Sequence, residues 1–477
     1  MTCRRIAALT WTVSLAAFSI LVAVPATARA TVAANGLFSD NAVLQQGIKL
    51  PVWGTADDGE KVSVSIAGQR VETTSFLGHW RVDLQPLKAG GPFDLVIEGP
   101  TNKIEAKNVL VGEVWIAGGQ SNMELPLSRT ANAAEVIANS ANPQIHLITI
   151  TRRQRSAAPA ADVQGKWAEC DSKTVANFSA VAYYFGRALK KQLNVPVGLI
   201  NCNVGGTTAE RWMSKEAFDA EPALKDMPRT QKSKGDFDLY NGMIHPLIPF
   251  GIRGAIWYQG ESNSGQAWYY RTLFPAMIKA WRDDWKQGDF PFLFVQLAPY
   301  KAIAHEPQES DWAELREAQL LTTLKSPNAA MAVITDVGDE KDIHPKRKQP
   351  VGERLAMAAR ALAYGEKVEY SGPIFDSLSI DGREAVVHFK HVGSGLIVKG
   401  DKLTGFTVAG DDKKFYDADA KIVGDTVVVS SDQVAKPVAV RFGWANYPVV
   451  NLWNKEDLPA SPFRSDDFPG VTQPKGR

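Results

Sequence analysis

The sequence predicts an α/β protein, a parallel sheet covered by helices, flanked on each side by a β-rich region. Three observations carry this expectation. Between about residues 109 and 365, short apolar runs alternate with stretches of helical period, the pattern of a parallel sheet covered on both faces. From about 31 to 108 the period is two: Val62, Val64 and Ile66 alternate with Ser63 and Ser65, as in a half-buried strand. From about 366 to 477 short strands return, for example Val427-Val428-Val429 and Val438-Ala439-Val440.

The chain begins with Arg4 and Arg5, an apolar run from Ile6 to about Val24, and then Ala28-Arg29-Ala30. This is a signal-peptide pattern, with cleavage expected before Thr31 and export to the periplasm or the extracellular space. The run is close to the ~20 residues that span a bilayer, so an anchor is the alternative; the A-x-A site favours cleavage. Residues 1–30 are therefore read as a leader, with no membrane partner after its removal. Residues 31–108 read as a small β-sandwich, punctuated by turns such as Gly90-Gly91-Pro92. Within 109–365, buried strands are expected at 114–117, 144–150, 197–202, 253–258, 291–298 and 330–335. Helices are expected at 178–194, 268–285, 312–325 and 350–364. Residues 366–477 form the C-terminal β-rich region, and the tail after Phe468 is expected to be loose.

Net charge is +1 with Lys and Arg scattered, which gives no footprint for a nucleic-acid partner. Cys3 leaves with the leader. Cys170 and Cys202 remain, and an oxidising compartment permits one disulfide between them; two buried free thiols are the alternative.

Ligands of open α/β sheets bind beyond the carboxyl ends of the strands, so the residues after each strand are the candidates. The first run is Val114-Trp115-Ile116-Ala117-Gly118-Gly119-Gln120-Ser121-Asn122-Met123-Glu124. Two glycines allow a tight turn and place Ser121 where backbone N–H groups can stabilise an oxyanion. A helix-capping serine fits the same spacing. The second run, Ile256-Trp257-Tyr258-Gln259-Gly260-Glu261-Ser262-Asn263, offers a side-chain amide (Gln259), a carboxylate (Glu261) and a rival nucleophile (Ser262). A polar loop is the plain alternative. The third, Asp336 to Pro345, contains His344. Among the seven histidines, only His344 follows an α/β strand with several carboxylates beside it. A serine nucleophile needs such a base, and the base an orienting acid; Asp342, two residues earlier, is preferred, with Glu261 and Asp339 left open. A fourth run, Asn201 to Trp212, carries Gly205-Gly206. Gly206 is chosen over Gly205 as a second oxyanion donor, beside the Ser121 N–H and Gln259. Arg211 can meet a substrate carboxylate and Trp212 can stack on a sugar ring; both can equally be packing residues.

Taken together, Gly119-Gln120-Ser121-Asn122-Met123, Gly205-Gly206-Thr207, Trp257-Tyr258-Gln259-Gly260-Glu261-Ser262-Asn263 and Asp342-Ile343-His344-Pro345 resemble the sialate O-acetylesterase family, SGNH-type hydrolases related to acetylxylan esterases. Leu37 to Gln46 and Asn451 to Arg464 resemble that family's opening and ending. The resemblance implies a flavodoxin-like SGNH core and ester hydrolysis without metal or other cofactor, with Ser121 and His344 as nucleophile and base. The usual Asp-x-x-His block is altered: Lys341 stands three before His344 and Asp342 one position closer. The Gln-Gly-Glu loop supplies a second candidate acid in Glu261. Gln259 stands in for the absent block asparagine.

The expected activity is hydrolysis of O-acetyl esters on carbohydrate, sialate first, with acetylxylan or another polysaccharide as the alternative. A non-catalytic glycan-binding protein is the alternative of another class, motivated by thirteen tryptophans and two β-rich regions. Casein cleavage, the mark of a peptidase using the same serine, is not expected. No H-E-x-x-H metal motif, phosphate loop or dinucleotide fingerprint is present.

Overall fold

One long strand, β1 (Lys103–Gly119), joins two architectures. Its first half pairs antiparallel with Gly90–Glu98. Its second half lies between two parallel neighbours, and from Val109 onward it is buried. The 108/109 boundary read from the pattern change thus falls inside a single strand. In this computed structural model residues 1–2 and 31–475 are described. The leader pattern, apart from its first two residues, lies outside them.

The parallel sheet adds β2 (Asn142–Thr149), β3 (Val197–Asn203), β4 (Gly254–Tyr258), β5 (Phe292–Val295) and β6 (Ala329–Ala332). The order is β2-β3-β1-β4-β5-β6, with Ala168–Cys170 antiparallel on the β2 edge. Four helices cover it: α1 (Ala180–Leu193), α2 (Ala267–Trp285), α3 (Asp311–Lys325) and α4 (Gln349–Tyr364). Their ends lie within two residues of the periodicity reading. Ser179 and Ser310 cap α1 and α3 by accepting from Ala182 N and Ala313 N, and Gly365 ends α4 with φ +66°. On one face of the sheet α2 and α3 bury Phe274, Trp281 and Leu315 with Trp257 and Phe292. On the other, α1 and α4 bury Phe185, Leu189, Leu355 and Ala359 with Trp115. Every residue of β3 and β4 is buried, which explains the apolar run of β4 and of Val197–Ile200 in β3.

The N-terminal strands share a continuous core with the α2/α3 face. The C-terminal region has its own core around two four-stranded sheets. Arg316 of α3 fastens that region to the α/β unit. Fully buried, it donates to the carbonyls of Leu297 and Ala298 on one side and of Ala445 and Asn446 on the other. The tail is not loose as the sequence suggested. The Glu314 carboxylate accepts from the N–H groups of Val471 (2.5 Å) and Thr472 (3.1 Å), and the Thr472 hydroxyl accepts from Trp268 N at 3.0 Å. A buried carboxylate needs donors, and the tail backbone supplies them. The disulfide is not formed either: Cys170 and Cys202 are both free and buried, and burial pushes the Cys170 thiol up to about 12.

Candidate active site

Gly119 of β1, Asn203 of β3 and Tyr258 of β4 lie level with one another, so three loops leave the sheet at the same height. Gly119 has φ +135°, and a Cβ there would stand 2.2 Å from the Tyr258 carbonyl oxygen. Only glycine lets the two strand ends approach so closely. The amide of Gln120 then crosses to the second loop, its Oε1 accepting from Gly260 N (3.4 Å) and Ser262 N (3.3 Å). Ser121 begins a single helical turn, Ser121–Glu124. Its hydroxyl does not cap that turn. Oγ lies 2.9 Å from Nε2 of His344, and the Ser121 N–H has no hydrogen-bond partner among the described residues.

His344 lies on the loop after β6. Arg354 of α4 anchors the start of that loop through Asp336 (2.6 and 3.0 Å), and Asp339 accepts from the N–H groups of Lys341 and Asp342. Asp342 Oδ1 accepts from His344 N at 2.9 Å and stands 3.4 Å from His344 Nδ1; its other oxygen meets Lys346 at 2.9 Å. With Nε2 accepting from Ser121 and Nδ1 facing a carboxylate, the ring is oriented as a serine–histidine–acid site requires. Burial pushes His344 below 6.5, and the Asp342 charge opposes this. Lys346 holds the Asp342 carboxyl below its usual range.

Glu261, the other candidate acid, makes no contact with His344. It accepts from Asn122 Nδ2 at 2.6 Å. Asn122 also donates to the Ile343 carbonyl (2.9 Å) and accepts from Lys348 Nζ (2.5 Å). This buried chain therefore ties the serine loop to the histidine loop from behind. Burial raises Glu261 and lowers Lys348 to about 7, each opposed by the other's charge.

Three expectations need correcting. Gln259 is fully buried, and its Nε2 is spent on Asn263 Oδ1 (2.7 Å) and the Thr207 carbonyl (3.2 Å). It braces the loops and has no N–H left for an oxyanion. Trp212 is fully buried, packed edge-on against Trp257 and donating to Thr207 Oγ1, so no sugar reaches its face. Arg211 is buried in a bidentate pair with Asp238 (3.0 and 2.9 Å), which commits it inside the fold. Of the two glycines, Gly205 lies against Ser121: a Cβ there would sit 3.2 Å from that of Ser121. Its N–H donates to Glu124 Oε2 at 2.7 Å. Gly206 has φ +73°, and its N–H has no partner among the described residues.

The Ser121–His344 pair opens into a cavity of about 430 Å³, lined also by Glu124, Leu125, Pro126, Arg129 and Asn177. The sequence reading passed over Glu124 and Arg129. Glu124 was findable: three residues after Ser121, it shares one face of the turn. A larger cavity, about 650 Å³, lies among Glu309, Phe415, Tyr416 and Trp444 and holds no serine–histidine pair. Among the described residues no three His, Cys, Asp or Glu side chains are grouped to hold a metal, and no helix is long and apolar enough to cross a membrane.

Residues 111–361 match the family model described as carbohydrate esterase, sialic acid-specific acetylesterase. The sialate O-acetylesterase of Homo sapiens is 30% identical over 462 residues, spanning 86% of this chain and 88% of that one. The protein of the same name from Mus musculus is 28% identical, with coverage of 86% and 90%. A crystal structure of a carbohydrate acetylesterase from Xanthomonas citri superposes with a TM-score of 0.86 at 41% identity, covering 92% of this chain and all of that chain.

Proposed function

Because the chain belongs to the sialic acid-specific acetylesterase family of carbohydrate esterases, we propose that it hydrolyses O-acetyl esters on carbohydrate with Ser121 as nucleophile. The observation that carries this reading is the 2.9 Å contact between Ser121 Oγ and His344 Nε2 at the mouth of a cavity. His344 takes the hydroxyl proton as Oγ attacks the acetyl carbonyl. The oxyanion is received by the N–H groups of Ser121 and Gly206, neither of which has a partner among the described residues. His344 returns the proton to the departing sugar alcohol. Water then attacks the acetyl-enzyme by the same route and releases acetate. Asp342 holds the imidazole and offsets its positive charge in both steps.

Five of the parallel strands, taken without β2, follow the order 2-1-3-4-5, the flavodoxin-like arrangement. This supports an SGNH-type core with β2 and its antiparallel neighbour added at one edge. The leader pattern at residues 4–30 supports export. The non-catalytic reading is disfavoured by a serine and histidine already within hydrogen-bonding distance.

Acetate release from O-acetylated sialic acid and from acetylated xylan, measured on the mature protein and on Ser121→Ala, tests the reading. Release that disappears in the variant is expected, and the preferred substrate fixes the class. Full activity in Ser121→Ala, or no release from either substrate or from small acetyl esters, would refute it.

A further inference from the structure

The cations around the site are nearly all spent. Lys346 meets Asp342, Lys348 meets Asn122, Arg347 donates to the Asp336 carbonyl and Arg211 is locked to Asp238. Arg129 is different. It lines the same cavity as Ser121 and His344, it is exposed, and no carboxylate among the described residues pairs with it. Glu124, the acidic residue of that lining, turns its carboxylate to Gly205 N instead.

The arginine stands on a fastened platform. Leu127–Arg129 is one tight turn. Leu127 N and Ser128 N donate to the carbonyls of Phe178 and Ala176 at 3.0 Å each, Arg129 N donates to Pro126, and Ala131 N donates to Lys346 on the histidine loop. Between those two carbonyls lies Asn177, another lining residue, also exposed. The backbone under the guanidinium is therefore tied to both the α1 entry and the His344 loop, and pre-positioning of this kind lowers the cost of binding. A guanidinium presents a planar fork that matches a carboxylate. A neutral acetylated sugar would leave it without a partner.

We propose that Arg129 is the carboxylate-reading residue of the Ser121–His344 cavity. The assignment rests on the esterase reading above and supplies the specificity element that Arg211, buried with Asp238, does not. The acid group pairs with the guanidinium while the acetyl group is held at Ser121.

The test compares mono-O-acetylated N-acetylneuraminic acid with its methyl ester, which carries the same acetyl group and no charge. The wild type is expected to favour the free acid in kcat/KM by on the order of 10- to 100-fold, the worth of one charge-assisted pair. Arg129→Gln is expected to bring the ratio near one, chiefly through KM, and Arg129→Lys to keep part of it. No preference in the wild type, or a preference that survives in Arg129→Gln, would overturn the proposal. If no substrate releases acetate, the esterase reading fails instead. Binding of N-acetylneuraminic acid against its methyl ester, by calorimetry on the wild type and Arg129→Gln, then still decides for or against the arginine.

Discussion

Replacing Asp342 by asparagine separates the two candidate acids. His344 becomes positive as it takes the Ser121 proton, and the Asp342 oxygen stands 3.4 Å from Nδ1. At that distance unit charges attract by about 1 kcal/mol in a water-like medium and about 5 kcal/mol at an effective dielectric near 20. The Asp342 side chain is 41% exposed and shares its charge with Lys346, which puts the expected effect in the lower part of that range. About 1–3 kcal/mol corresponds to a fall in kcat of roughly 5- to 150-fold. The variant also removes the charge that raises His344, so the pKa of the imidazole drops further. The acid limb of kcat/KM then moves to lower pH even as the plateau falls. Acetate release followed from pH 4 to 9 in Asp342→Asn and Glu261→Gln reads both effects. A wild-type plateau with an unmoved limb in Asp342→Asn, beside a displaced limb in Glu261→Gln, would refute the assignment and make Glu261 the orienting acid.

The remaining predictions concern the unmodified site and the fold. Burial holds His344 below 6.5, so the neutral working form persists into mild acid, and the acid limb of wild-type kcat/KM should have its midpoint below 6.5. A midpoint above 7 would contradict this. A lowered histidine pKa favours the folded state above the unfolded pKa, and that contribution is lost as pH falls through the folded value. Trp212→Ala, which empties a fully buried site, should cost about 3–5 kcal/mol of stability, seen as a lower urea midpoint; an unchanged midpoint with a raised KM would restore the sugar-stacking role. Cys170 and Cys202 should resist a thiol reagent in the native mature protein and both react in denaturant without reductant, whereas no reaction there would reveal a disulfide.

The parts of the fold with local causes were legible in the sequence. The four helices were legible by their period and the buried strands by short, mostly apolar runs. Ser121 and His344 were legible because the Gly-Gly pair before the one, and the carboxylates around the other, are local signals. What failed depended on contacts distant in sequence. Gln259 is identical on paper whether its amide faces a cavity or Asn263. Trp212 and Arg211 carry binding chemistry, yet their surroundings, Trp257 and Asp238, lie 45 and 27 residues away along the chain. The tail after Phe468 is rich in turn formers, but Glu314, about 157 residues earlier, draws it down. Arg129 stood in an unremarked segment because only the bonds to Phe178, Ala176 and Lys346 carry it to the site.

Glu261 shows why loss of activity alone does not identify a triad acid in this architecture. Its carboxylate holds Asn122, the neighbour of the nucleophile, and Asn122 in turn holds the Ile343 carbonyl beside the base. Removing the Glu261 charge therefore loosens Ser121 and His344 together and leaves Lys348 buried with less compensation, a costly state. Both Asp342 and Glu261 variants should lose turnover, one through the charge beside the imidazole and the other through the spacing of the reacting pair. The titration of His344 separates them. Asp342 faces Nδ1 directly, so its removal displaces the limb. Glu261 acts through an amide and a backbone carbonyl, so its removal should lower the plateau while leaving the limb nearly where it was.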